Sequence, residues 1–312
     1  MIAAFDKMQA NGNDFVLLDL QQSHMSSSMR DRDTIMKISD RIFGIGCDTV
    51  LLYEKLQDQQ SPSDMVLLKV QFFNADGGAT EICGNALRCL GLLMHMHHGI
   101  SKCVARTKDC EQSHLVEMIN SNNITVTEEK SSCSAEDIGF TKPIKDPLRL
   151  NVAHDLQLTE SISEIFHAMS SCRRAACISV GNPHLVFFLE KLPSLEQAQA
   201  IGKQLTTHTL FKNGVNVSFA RIIDHTPSAS AMDSQTPGAI ESITYERGAG
   251  LTMACGSGAS AIALLAQLCG MMQSSTIFVH QMKGTLRVDV NCDGSYSHTG
   301  AAAHVFSGSI CL

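Results

Sequence analysis

Two cysteines stand in matched settings. Cys83 is followed by Gly84 and Asn85 in "NADGGATEICGNALRCLGLL", residues 74 to 93, and Cys255 by Gly256 and Ser257 in "YERGAGLTMACGSGASAIA", residues 245 to 263. In each, a thiol precedes small residues that open a long apolar run. Small residues let a backbone come close to a ligand and leave its N–H groups accessible. The first-turn N–H groups of a helix lack internal partners and carry the positive end of its dipole, so a carboxylate fits there with little further help. The same field lowers the pKa of a neighbouring thiol, making it a better base or nucleophile near neutral pH.

Two opposed thiols flanking one carbon suggest a particular reaction. One thiolate removes a proton from one face of an α-carbon while the opposite thiol supplies a proton to the other face, and the configuration inverts. The carbanion's charge is drawn onto a carboxylate held by the two helix N-termini. No cofactor is required.

The elements that would position these thiols recur along the chain. Gly12-Asn13-Asp14-Phe15 leads into "FVLLDL" and is echoed by Gly181-Asn182-Pro183-His184 leading into "LVFFLE". "RIFGIGCDTVLL" is echoed by "TLFKNGVNVSFA", and Cys83-Gly84-Asn85 by Cys255-Gly256-Ser257. Gly12 and Gly181 are 169 residues apart, Gly46 and Gly214 are 168 apart, and the two cysteines 172. A nearly constant offset over three landmarks reads as a duplicated domain. The two thiol sites are then expected to face one another across a pseudo-twofold cleft.

Between these landmarks, short β-branched and aromatic runs such as "VLLKVQFF", "SITYERG" and "LRVDVNC" read as strands. Each half also holds one long helix read as apolar all round, Asn85 to His98 and Ser257 to Met271, and such a helix must be buried on all sides. The expected fold is α/β, with two pseudo-symmetric domains, each a mostly antiparallel sheet or barrel wrapped around a buried central helix. The join is expected near "DIGFTKPIKDP", residues 137 to 147, where Gly and two Pro interrupt the pattern. Residues 225 to 239 read as a solvated loop, and residues 24 to 33 as a second loop running into a helix that ends near Arg41.

Composition narrows the functional class. The 24 basic and 31 acidic residues leave a net charge of −7 with no long run of either sign, which argues against a nucleic-acid partner. The opening "MIAAFDKMQANGNDF" lacks the apolar region of a signal peptide. No apolar stretch approaches the roughly 20 residues that span a bilayer. A cytoplasmic location is expected, with the 12 cysteines as reduced thiols. Cys89, Cys177 and Cys269 sit among apolar residues and read as small buried hydrophobes. "HMHH", residues 95 to 98, reads as a helix C-terminus before Gly99 rather than a metal site.

The ordered motifs "GNDF" (12–15), "FNADG" (73–77), "CGNALRC" (83–89), "GNPH" (181–184), "GVNVSF" (214–219) and "YERGAGLTMACGSG" (245–258) span essentially the whole chain and resemble diaminopimelate epimerase. The resemblance implies a pyridoxal-independent, two-cysteine epimerase interconverting LL- and meso-diaminopimelate on the way to lysine and peptidoglycan, with no metal. It implies two halves, residues 1–143 with a strand returning at about 300–312, and residues 144–299. Carried over position by position, Cys83 and Cys255 match the acid/base pair. Gly84, Asn85, Gly256 and Ser257 match the helix-mouth residues that hold the reacting carboxylate. Asn13, Asn74, Asn182, Asn216 and Arg247 match the polar lining that grips the substrate, a small diamino dicarboxylic acid. His184 and Glu246 match positions near the thiols, with proton-tuning roles, and Glu246 also belongs to the substrate lining. Thr49 stands in that lining where the family usually has Gln. Ala86 replaces a Gly of "CGNG", Leu251 a Glu, Ala10 a Gly, and "HTGAA" with His298 stands for "MTGPA". The resemblance is compatible with a homodimer. Three other readings of the residues stay open: a racemase of another amino acid, such as histidine, on the same scaffold; a cysteine-nucleophile hydrolase or transferase using Cys83 or Cys255 with His184; and a non-catalytic binding protein on a decayed enzyme scaffold.

Overall fold

A computed structural model describes residues 2–21, 28–56, 65–80, 82–107, 113–128, 131, 134–151, 155–156, 172–223 and 237–312. The loop expected at 225–239 lies outside these residues as far as 236, as does the first part of the one at 24–33. The chain divides into two compact units. Unit 1 comprises Met1–Glu129 with Thr299–Leu312, and unit 2 comprises Lys130–His298.

In unit 1, β1 (Ile2–Ala10), β2 (Asn13–Asp19), α1 (Arg32–Ser39), β3 (Thr49–Leu56), β4 (Val66–Asn74), β5 (Ala79–Thr80), α2 (Gly84–His98), β6 (Lys102–Thr107), β7 (Ser113–Asn120) and β8 (Asn123–Glu128) follow in order. The far end of the chain adds β17 (Ala303–Cys311), antiparallel to β1. Across the sheet, β1/β2 is antiparallel, β2/β3 parallel, β3/β4 antiparallel, β4/β6 parallel, and β6/β7 and β7/β8 antiparallel. The sheet is mostly antiparallel, and α2 packs on strands from both of its ends, β1 and β17 as well as β7 and β8.

Unit 2 repeats the plan. A short α3 (Ala135–Ile138) precedes β9 (Cys172–Ser179), β10 (Pro183–Leu189), α4 (Leu195–Leu205), β11 (Asn216–Ile222), β12 (Gly238–Glu246), β13 (Gly250–Thr252), α5 (Gly256–Leu268), β14 (Thr276–Gln281), β15 (Gly284–Val290) and β16 (Tyr296–Gly300). The pairings β9/β10, β10/β11, β11/β12, β12/β14 and β14/β15 run antiparallel, parallel, antiparallel, parallel, antiparallel. This is the order found from β1 to β7. A helix stands between the parallel partners in each case, α1 and α4 at the first crossover, α2 and α5 at the second.

Each sheet is covered on both faces, and the sequence shows why. Along β10, Leu185, Phe187 and Leu189 join the cluster around α4, while Val186 and Phe188 join that around α5. Alternate side chains leave opposite faces of a strand, so a strand buried on both faces reads as the continuous run PHLVFFL. In β2, Phe15 and Leu17 pack with α2, and Val16 and Leu18 with α1.

The two central helices are buried as expected, Asn85 through Met94 in α2 and Ala259 through Ala266 in α5. Helix α2 is not apolar all round, however, because Arg88 is completely buried within it. Gly99, at φ 67°, caps α2 after the exposed histidines. Helix α5 stops at Leu268, three residues short of the expected Met271. Gly270 adopts φ 68°, and the N–H groups of Met271 and Met272 fold back onto the Ala266 carbonyl, a turn that ends the helix despite its apolar continuation. Helix α1 likewise ends at Ser39, where the Asp40 side chain takes the N–H groups of Ile42 and Phe43.

The expected join at 137–147 lies inside unit 2, because Phe140 bridges Phe211 and the Thr141 N–H reaches the Leu210 carbonyl. Among the described residues, no helix is long and apolar enough to cross a membrane, and no group of three His, Cys, Asp or Glu is placed to hold a metal.

A Ser194/Gln197 capping box starts α4, and its third turn lies flat on Tyr245, the residue before Glu246. A Cβ on Gly202 would sit 2.3 Å from Tyr245 Cγ. Replacing Gly202 with Ala is expected to cost about 1–3 kcal/mol, the usual range for overpacking, read as a lower denaturation midpoint. A variant as stable as the parent would mean that Tyr245 can move freely.

Candidate functional site

Unit 1 gathers its candidate residues at one end of its sheet. Asn13 opens β2 and Thr49 opens the parallel β3, where Thr49 lies opposite Phe15 on one side and Asn74, the last residue of β4, on the other. Asn74 closes a tight turn, its N–H on the Gly78 carbonyl and its own carbonyl accepting from Gly77. After β5 the chain reaches Cys83, the N-cap of α2, with φ −121° and ψ 105° and no capping bond from its side chain. Asn85, only 1% exposed, accepts a hydrogen bond of 2.5 Å from Arg88 Nη2.

Unit 2 carries the matching set. Asn182 precedes β10, Asn216 opens β11 opposite His184, and Glu246 closes β12, followed by Arg247. By register, Asn182 corresponds to Asn13, Asn216 to Thr49, Glu246 to Asn74 and His184 to Phe15. Thr49 thus occupies the place of an asparagine in the other repeat. Cys255 caps α5 with φ −124° and ψ 116°. Its sulfur takes the part usually played by a cap oxygen, accepting from the Gly258 N–H at 3.3 Å, and lies 3.5 Å from Ser257 Oγ.

A polar chain leads from that sulfur into the interior. Asn182 Nδ2 donates to Ser257 Oγ at 3.5 Å, and Asn182 Oδ1 lies 2.9 Å from His184 Nε2. A carbonyl oxygen only accepts, so Nε2 carries the proton and donates. Burial, aided by the positive charge of Arg247, pushes the His184 pKa down to about 3, so the imidazole is neutral at pH 7. Its bond therefore runs to Asn182 rather than to the thiol.

The neighbouring turn is held just as firmly. The Asn216 side chain accepts from the Arg247 backbone N–H at 2.9 Å, Arg247 Nη1 donates to the Asn213 carbonyl at 2.6 Å, and Glu246 Oε1 accepts from the Thr252 hydroxyl.

His184 supplies a pH test. Its folded pKa lies below the ordinary value of 6.5, so on acidification the unfolded chain takes up a proton that the folded chain refuses. Stability should fall as pH drops below about 6.5, by up to about 1.4 kcal/mol per pH unit for this group alone. Denaturant titrations between pH 7 and 5 should show this slope in the parent and a flatter one in His184→Gln. Equal slopes would mean that His184 titrates normally.

Two supports escaped the sequence reading. Gln281, the last residue of β14, clasps Cys255 at both backbone groups, accepting its N–H at 3.1 Å and donating to its carbonyl at 2.9 Å. Beside Asn13, Asp14 accepts from Lys7 at 2.6 Å and from both terminal nitrogens of Arg41, which also reaches Asp48. Burial would raise the Asp14 pKa, but the bonds from Arg41 and Lys7 outweigh it and hold the carboxyl well below the usual range. A charge reversal along "NDF" and "DRIFGIGCD" is the sequence signal for this cluster. Gln281 has none, because only the fold brings β14 to the helix mouth.

Comparison with known proteins agrees in extent with this doubled plan. A family model described as diaminopimelate epimerase matches residues 5–130 and 176–305. The chain is 28% identical over 309 residues to a diaminopimelate epimerase of Acetivibrio thermocellus, covering 99% of this chain and 98% of that protein. It is 31% identical over 310 residues to the enzyme of the same name from Erythrobacter litoralis, covering 99% and 97%. Among solved structures, a phenazine biosynthesis protein of the PhzF family from Enterococcus faecalis superposes with a TM-score of 0.64 at 12% identity, over 100% of both chains. A hydroxyproline epimerase from Agrobacterium vitis gives 0.60 at 11%, over 100% of this chain and 93% of that one. At such identities the likeness to these two structures is one of fold alone.

Proposed function

Because the chain belongs to the diaminopimelate epimerase family, we propose that it interconverts LL- and meso-diaminopimelate, with Cys83 and Cys255 as the acid/base pair and no cofactor, as a step towards lysine and peptidoglycan precursors. The main support is the paired cap. A cysteine precedes the central helix of each unit in nearly the same backbone conformation, φ −121° and −124°.

In this reading the two thiols reach one α-carbon. The thiolate takes the α-proton, breaking the C–H bond and forming S–H, and the other thiol gives its proton to the opposite face. The substrate carboxylate rests on the N–H groups that open α2 and α5, at Gly84, Asn85, Gly256 and Ser257, and so withdraws the carbanion's charge. Asn13, Asn74, Asn182, Asn216, Glu246 and Arg247 hold the polar ends, Arg247 as a fork for a carboxylate, with Thr49 completing the lining. His184 orients the Asn182 amide and through it Ser257 and Cys255.

The test is deuterium uptake. Reduced protein with LL-diaminopimelate in deuterated water should incorporate one deuterium at the inverted α-carbon. Uptake into another amino acid but not diaminopimelate would move the substrate and keep the chemistry. No uptake into any amino acid would refute the reading.

A further inference from the structure

The two helix mouths share a backbone conformation but differ in cap and in charge: the Gly258 N–H bonds the Cys255 sulfur, while Cys83 makes no capping bond and has a buried cation one turn on. Arg88 lies in the second turn of α2 and reaches back to Asn85, within the first turn that Cys83 caps. Its guanidinium is completely buried, and its Nε and Nη1 atoms have no hydrogen-bond partner among the described residues. The corresponding position of α5, 172 residues on, is Ser260, buried and neutral.

No described carboxylate neutralises Arg88. Towards α2, β1, β2, β6, β7 and β8 contribute Met8, Phe15, Ala105, Val116 and Ile124 to one apolar cluster. Of the charged residues on the same strand faces, Asp19 acts on His98 at the far end of the helix, and Glu128 is paired with the buried His114. The titratable groups in that cluster are Cys89 on α2 itself, Cys103 on β6 and Tyr53 on β3. Burial pushes all three up, Cys103 to about 12, so they are neutral at pH 7. Asp6 lies against His97, at the opposite end of the helix. Burial lowers the Arg88 pKa only to about 10, and its favourable charge interactions are with Cys89 and Cys83. A buried cation without a counter-ion is costly, and an anion at the helix mouth relieves it.

We propose that Arg88 is a positioning residue that holds Asn85 in place and makes Cys83 the resting thiolate, while Cys255, whose helix lacks such a cation, rests as the thiol. The resting protein is then set for one direction of proton flow. Cys83 accepts the α-proton, and the Cys255 S–H bond breaks to supply the opposite face. This rests on the acid–base reading of the two thiols, but its test needs no substrate.

Iodoacetamide alkylation of the whole reduced protein, followed peptide by peptide over pH 5–10, reads each thiol's midpoint independently of its access. In the parent the Cys83 midpoint should lie about one pH unit or more below that of Cys255, the size of effect that a neighbouring charge exerts. Arg88→Lys should keep this order. Arg88→Gln should raise the Cys83 midpoint by about one unit and leave that of Cys255 in place. Equal midpoints in the parent, or a lower one for Cys255, would overturn the proposal whether or not any variant folds. So would a folded Arg88→Gln protein with an unchanged Cys83 midpoint. A correct titration with no deuterium uptake would instead fail the epimerase reading and leave the charge asymmetry standing.

Discussion

Cys83→Ala and Cys255→Ala are each expected to lower epimerisation about 10³- to 10⁴-fold, the upper part of the range for a positioned acid or base. The double variant should be no slower than either single one, because a two-base reaction is broken by losing either base, and residues that act as a unit are not additive. The folding cost should be small. The Cys83 side chain makes no capping bond, and Cys255 gives up its contacts to the Gly258 N–H and to Ser257 Oγ, the loss of a cap costing about 1 kcal/mol. Product chirality measured against time in the three proteins decides the matter. A single variant retaining a tenth of the parent rate would show that its thiol is not one of the two bases.

The second large effect is expected in the scaffold. Leu265 lies in the third turn of α5 and is completely buried, packed among Ile262, Ile277, Val279 and Leu286 in the cluster around that helix. Leu265→Ala removes three carbons from a site walled by strands on several sides, where collapse is hindered, and should cost about 3–4 kcal/mol. For a unit of this size that is a melting point lower by roughly 6–15 °C. The Cys255 cap is more than two turns away, so deuterium uptake at 25 °C should persist. Loss of uptake with an unchanged melting point would mean that α5 transmits strain to its mouth.

The contrast between these variants follows what could be read in advance. The duplication was legible because three landmarks keep one offset, and a preserved offset preserves the crossover order that the pairings display. The capping cysteines were legible because glycine-rich turns before apolar runs have few other meanings. The end of α5 was not: Cys269 and Met271 extend the apolar pattern, and only the left-handed Gly270 breaks it. Arg88 went unnoticed because the surrounding run is so apolar that a single charge looked incidental, yet a lone charge on a buried helix is the residue whose environment most needs explaining. Gln281 serves Cys255 across 26 positions of sequence, and no local pattern encodes a clasp formed by two strand-and-helix elements meeting.

The pairing of β17 with β1 makes unit 1 discontinuous, its first strand completed by residues 303–311 while all of unit 2 is threaded between. During synthesis Ile2–Ala10 leave the ribosome about 300 residues before their partner, roughly 15–60 s at ordinary rates of elongation. Unit 2, contiguous along the chain, is complete at His298, a few residues before β17 begins at Ala303. The half that begins the chain is therefore the last to close, and through that interval β1 offers an unpaired edge, which makes the nascent polypeptide a client for chaperones at its N-terminal strand rather than at its newest residues.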